Sequence, residues 1–169
     1  MDAAALRAMQ APLKESYKGD PKTAFITLKA KGTLDDAHIA CKVETGRALA
    51  VAGLHPATGG SGLELCSGDM LLEALVACAG VTLKAVATAL EIALKSATVG
   101  AEGDLDFRGT LGVAKEAPVG FAAIRLRFEV DTDAPQDKLE QLLKLTERYC
   151  VVYQTLRRGP PIEVKLARA

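Results

Sequence analysis

The chain has 169 residues, 49% of them apolar, which is enough for one domain with its own core. Its 21 basic and 21 acidic residues balance, tryptophan is absent and aromatics are 4%, so nucleic acid is not an expected partner. The first residues carry Asp2, Arg7, Lys14 and Glu15 without an apolar run of signal-peptide length, and a cytoplasmic location is expected. Four cysteines, Cys41, Cys66, Cys78 and Cys150, form no C-x-x-C pair, so reduced thiols at rest are expected, with no metal site and no cofactor.

Residues 2–17 predict a short amphipathic helix with Leu6, Met9 and Leu13 on one side, kinked or ended by Pro12. Three strand candidates follow in a meander over residues 22–54: Ala24–Ala30, His38–Val43 and Arg47–Ala52. Gly32–Asp36 and Glu44–Gly46 are spacers of hairpin length. His38 shares its strand with Cys41, but two side chains do not make a metal site, and Cys41 reads as structural. His55–Gly62 is a glycine-rich connector without phosphate-loop spacing, and His55 is a loop residue in it.

Ser67–Leu94 is the centre of the chain. Leu72, Leu75, Ala79, Leu83, Val86 and Leu90 recur at steps of three or four, which places them on one helix face. Ser67 is a candidate cap, and Asp69 suits the positive end of the helix, which would run roughly 35–40 Å. Glu73, Thr82, Lys84, Thr88 and Glu91 interrupt the apolar pattern and argue against a membrane span. Small residues surround Cys78, and Gly80 in mid-helix suggests close approach of another element or a ligand. Taken alone, Cys78 reads first as an inert core thiol, because free cysteine is commonly buried.

Ala97–Gly109 and Phe121–Thr132 predict two strands within residues 97–132, joined by the turn Lys115–Gly120, with the arginines of the second on a solvated face. Asp133-Ala134-Pro135 opens a helix over Gln136–Arg148, which runs into a short helical piece, Tyr149–Leu156. Residues 135–158 are thus helical, and Ile162–Leu166 is a final strand. The fold class is α+β with a largely antiparallel sheet.

Two stretches together resemble the OsmC/Ohr family (osmotically inducible protein C and organic hydroperoxide resistance protein). Asp69–Cys78 resembles that family's E-L-L-x-A-x-x-A-C helix start, and Glu147–Leu156 resembles its A-E-x-x-C-P-V-x-x-T-L segment. Pro56–Gly62 stands where the family carries P-x-x-G-G. The resemblance implies an intertwined homodimer whose antiparallel sheets wrap two long, cysteine-bearing central helices. It implies a peroxidase in which the Cys78 thiolate attacks an organic hydroperoxide and becomes a sulfenic acid. Cys150 then resolves it as a disulfide, and a dithiol, in the family often a lipoylated protein, restores both thiols. The alternative is a non-catalytic or redox-sensing, small-molecule-binding relative that keeps fold and thiols without efficient turnover.

Thiolate activation is the open element. Cys78 lies too far inside its helix to use that helix's dipole, so a nearby cation is expected. The family uses an arginine of the early hairpin with an acid at the helix start. Here the hairpin Lys31–Cys41 has no arginine, leaving Arg47 and Arg148 as candidates, with Asp69 as the acid after Gly68. Val151 stands where the family has proline. Helix cap or surface charge also accounts for Asp69 and Glu73, and Arg148 for a helix-end cation. Cys66 is either an alternative resolving thiol or a buried spectator.

Overall fold

The computed structural model describes residues 2–19, 31–34, 40–44, 49–112 and 114–168. The expected strand Ala24–Ala30, His38 and Arg47 lie outside these residues. The first helix, α1 (Ala3–Gly19), runs through Pro12 rather than ending there. Its first turn is closed by the Asp2 carboxylate, which accepts from the Ala5 N–H at 2.8 Å, and Ala3 and Leu6 are buried among its described side chains.

Strands β1 (Lys31–Leu34), β2 (Ala40–Glu44) and β3 (Leu49–Gly53) form an antiparallel meander, with Leu34 opposite Cys41 and Cys41 opposite Ala52. The expected spacer at Gly32–Asp36 therefore begins as strand, because its first residues find a ladder in β2. A short strand that the sequence did not announce, β4 (Leu65–Cys66), pairs parallel to β3. Between β3 and β4, His55 accepts from the Ala57 N–H at 3.0 Å and stacks on Phe107 with ring centroids 4.8 Å apart, as a loop residue. A Cβ on Gly60 would lie 1.7 Å from the Leu54 carbonyl oxygen, so only glycine fits that close approach.

The central helix, α2, spans Ser67–Ala89: it starts where expected and ends five residues earlier than Leu94. Cys66, not Ser67, is its N-cap residue, and no side chain caps it. It stops at Ala89 because Glu91 takes φ +59, and the Ile92 N–H then reaches back to the Ala87 carbonyl at 2.9 Å. That is the geometry a glycine usually supplies, which is why periodicity alone carried the helix on to Leu94. Leu75, Ala79, Leu83, Val86 and Ala87 are the buried stripe. By length and composition α2 could cross a membrane, but in this fold it is the element on which α1 and the later helices and sheet pack. Gly80 faces Val99, where a Cβ would sit at an ordinary 3.6 Å, so no close approach within the chain demands it.

Strands β5 (Ser96–Leu105) and β6 (Phe121–Asp131) pair antiparallel over their length with an irregularity at Asp104/Leu105. β5 ends before the expected Gly109 because Asp106 caps a short helix, α3 (Phe107–Thr110), accepting from the Arg108 N–H at 3.1 Å. On the wet face Arg125 bonds Glu102 and Asp104 across the strands, as expected of a solvated charged ladder. Helices α4 (Gln136–Tyr149) and α5 (Val151–Arg158) follow. Leu142 of α4 packs with Leu83, Val86, Ala87 and Ile92, while Phe128 and Val130 cover them from the sheet.

The expected strand Ile162–Leu166 has no ladder: its residues carry no regular secondary structure and pair with no described strand. Ile162, Val164 and Leu166 are 84%, 85% and 100% exposed. An alternating apolar segment becomes a strand only against a partner edge, and the described residues provide none here.

Candidate functional site

The site forms where the middle of α2 meets the junction of α4 and α5. A single extended residue, Cys150 at φ −73 and ψ 108, separates the two helices. Its N–H closes α4 on the Thr146 carbonyl at 3.0 Å, and its carbonyl opens α5 by accepting from the Gln154 N–H at 3.0 Å. Gln154 also donates through Nε2 to the Glu147 carbonyl at 2.7 Å, satisfying a backbone acceptor that the end of α4 leaves free. The junction is thus pinned without glycine or proline. It turns the Cys150 side chain inward, where the residue is 1% exposed.

The first N–H groups of α5 have no partner within their own helix. Those of Val151 and Val152 are directed at the Cys78 sulfur, and the Cys150 thiol and Thr82 hydroxyl reach the same atom. Burial pushes the Cys78 thiol up, but the Val152 N–H, the Cys150 thiol, the Val151 N–H and the Thr82 hydroxyl together hold it below the ordinary range. Burial also pushes Cys150 up; the Tyr153 N–H opposes this, but the neighbouring Cys78 sulfur adds to it, and Cys150 ends above the ordinary range. The Thr82 Oγ1 donates to the Cys78 carbonyl at 2.8 Å, so rotation of one hydroxyl exchanges that acceptor for the sulfur.

Cys66, Cys78 and Cys150 are all free thiols. Cys78 and Cys150 are brought together; among the described residues, Asp69, Glu73 and Cys66 are not gathered around them, and Arg47 lies outside the described residues. Asp69 and Glu73 are exposed on α2, Asp69 about 13 Å along the helix axis from Cys78. Arg148 is exposed, with its guanidinium 5.6 Å from the centre of the Tyr149 ring. It borders an open depression of about 460 Å³ that reaches Cys150 and also includes Gln154 and Arg158. Cys66 lies at the start of α2, with its sulfur beside Gly68 near Phe121 and Leu105, about 18 Å along the helix from Cys78. Cys41 is in β2. Sequence reasoning missed the backbone donors of Val151 and Val152 and the Thr82 hydroxyl. The one readable signal was Val151 itself, since valine has the N–H that a proline there would lack.

A larger apolar cavity of about 770 Å³ lies between β6 and helices α4 and α5, walled by Phe121, Leu126, Phe128, Leu139 and Leu156. Leu75 and Leu83 of α2 reach it, but neither thiol lines it.

The family profile described as OsmC-like protein matches residues 59–165, which span α2, both thiols and everything between them. The chain belongs to the OsmC-like family. Solved structures share the fold of this OsmC-like protein at low identity. An OsmC-like protein from Mycoplasma pneumoniae superposes with a TM-score of 0.64 at 16% identity, covering 79% of this chain and 89% of its own. An organic hydroperoxide resistance protein OsmC from Legionella pneumophila gives 0.61 at 18%, covering 79% and 91%. The organic hydroperoxide resistance protein OhrB of Bacillus subtilis gives 0.52 at 19%, covering 78% and 93%. No curated protein matches the sequence of this OsmC-like chain.

Proposed function

We propose that this OsmC-like protein is a thiol peroxidase that reduces organic hydroperoxides, with Cys78 as the peroxidatic residue and Cys150 as the resolving one. The observation that carries this reading is the contact between the two thiols at the start of α5, with Cys78 held low and Cys150 held high. A low-lying thiol beside a protonated one is the pairing that sulfenic acid formation followed by condensation requires. The names of the Legionella and Bacillus relatives, both organic hydroperoxide resistance proteins, agree with it.

The Cys78 thiolate attacks the terminal oxygen of ROOH. The O–O bond breaks, the sulfur keeps OH as a sulfenic acid, and the alkoxide leaves as ROH once protonated. Cys150 then attacks the Cys78 sulfur, forming the disulfide and displacing hydroxide. A dithiol, of the kind carried by a lipoylated protein, reduces the disulfide by exchange, and the depression beside Cys150 is its approach. The protein works as a homodimer. In support, α2 leaves Leu71 and Val81 exposed, and the C-terminal segment leaves Ile162, Val164 and Leu166 exposed, which is apolar surface a second copy would cover.

Intact mass after one equivalent of cumene hydroperoxide tests the reading on wild type, Cys78→Ser and Cys150→Ser. The expected results are an intramolecular Cys78–Cys150 disulfide, no reaction, and a sulfenic acid on Cys78, respectively. A Cys78 that stays reduced throughout would make this a binding or sensing member of the family.

A further inference from the structure

We propose that Arg148 and Arg158 select the reductant: the dithiol that restores the two cysteines carries a carboxylate on the same short chain, and the depression beside Cys150 is its binding site. The inference rests on the peroxidase reading and narrows its reductant to one chemical class.

The last turns of α4 and α5 carry Arg148 and Arg158, both exposed. A cation at a helix C-terminus is common by itself. Here, however, both arginines border the same depression of about 460 Å³ as Cys150. Val151, Gln154, Thr155 and Arg158 fall on one face of α5 and form one side of it, and Arg148 joins them from α4. Arg7, Arg108 and Arg125 each hold a carboxylate. Among the described residues neither Arg148 nor Arg158 has an ion-pair partner, and no acidic side chain lines the depression. Two guanidinium groups without a counter-ion favour an anion, and a planar guanidinium suits a carboxylate. Tyr149 and Val151, 58% and 69% exposed, offer apolar surface to a hydrocarbon chain. The volume is that of a small-molecule site. An anion bound there is placed beside the resolving cysteine, where only a reducing group has work to do.

The exchange balances. One thiolate of the dithiol attacks the Cys150 sulfur, the Cys78–Cys150 bond breaks, and Cys78 leaves as a thiolate. Cys150 is then joined to the reductant as a mixed disulfide. The second thiol of the reductant attacks the first, closing a cyclic disulfide, and its proton passes to the Cys150 sulfur as that sulfur leaves. Two electrons have moved from the dithiol to the protein, which returns to one thiolate and one thiol.

The test compares two reductants with the same dithiol, dihydrolipoate with its carboxylate and dihydrolipoamide with a neutral amide. Protein oxidised by one equivalent of cumene hydroperoxide is mixed with each at low ionic strength, quenched with iodoacetamide and weighed. Any change in the disulfide itself alters both rates alike and cancels in their ratio. Wild type is expected to favour dihydrolipoate about fivefold, the scale of two exposed ion pairs, and to lose the preference in high salt. Arg148→Gln/Arg158→Gln should bring the ratio to about one, whereas Arg148→Lys/Arg158→Lys should keep most of it. Arg157 lines the cavity on the other side of α5 and bonds Tyr153, so Arg157→Gln removes the same charge outside the depression and should leave the ratio unchanged. A wild-type ratio of one or less, or an equal fall in Arg157→Gln, overturns the arginine site while leaving the peroxidase intact. Failure of the hydroperoxide to form a Cys78–Cys150 disulfide overturns the peroxidase reading and this site with it.

Discussion

The Cys78 sulfur and the backbone N–H of Val152 face each other across the contact between α2 and α5. Cys78 sits in mid-helix, where the dipole of its own helix has faded, and draws on the first turn of another. The stabilisation expected of an arginine is thus supplied in the described structure by amides and a hydroxyl.

Val151→Pro isolates one of those amides. Proline suits the first position of a helix, and the extended Cys150 before it is close to the conformation that proline requires of its predecessor, so the fold should persist. Loss of one hydrogen bond to a charged group, about 1.5 kcal/mol, should slow alkylation of Cys78 by iodoacetamide about tenfold at neutral pH. It should also move the midpoint of the pH profile upward. An unshifted midpoint would mean the Val151 N–H does not serve the thiolate.

The thiol pair also sets a pH window. Cys78, held low, ionises first as pH rises, while Cys150, held high, ionises last. Between the two the pair has one thiolate and one S–H. Oxidation by cumene hydroperoxide should rise through the Cys78 transition and then level off. Stopped-flow rates across the neutral to alkaline range measure this.

Glu91 occupies the left-handed conformation that closes α2, and its ion pair with Arg7, at 3.2 Å, is exposed on both sides. Such a pair contributes little, whereas a left-handed non-glycine residue costs about 1 kcal/mol or more. Glu91→Gly is therefore expected to stabilise the protein by about 0.5–1 kcal/mol, read from the urea midpoint at unchanged slope.

The C-terminal segment tests the homodimer. Replacing Ile162 and Leu166, 84% and 100% exposed, by lysine removes nothing from the core of the single chain. If these side chains lie in the dimer interface, sedimentation velocity should give a dimer for wild type and a monomer for Ile162→Lys/Leu166→Lys. A dimer in both would place the interface elsewhere.

Much of the architecture was legible because its signals are local. The apolar stripe of α2, the alternation Ile124, Leu126, Phe128 and Val130 in β6, and the leucines of α4 follow from periodicities of 3.6 and 2. The end of α2 was not legible, because Glu91 closes it in a conformation that usually advertises itself with glycine. β4 was missed because two residues are too short for a pattern and pair only by virtue of β3. Ile162–Leu166 has the right alternation but no edge to join in the described chain.

By itself the sequence determined which faces are apolar, where the helices and most strands lie, and that two cysteines stand in family-like surroundings. Only the tertiary structure decided that Cys78 meets the start of α5, and that amides and a hydroxyl are what meet it there. The physical reason is that side-chain periodicity is written residue by residue, whereas contact between segments distant in the chain depends on packing. Backbone N–H groups, moreover, are common to every residue but proline, so their direction leaves no mark until the chain is folded.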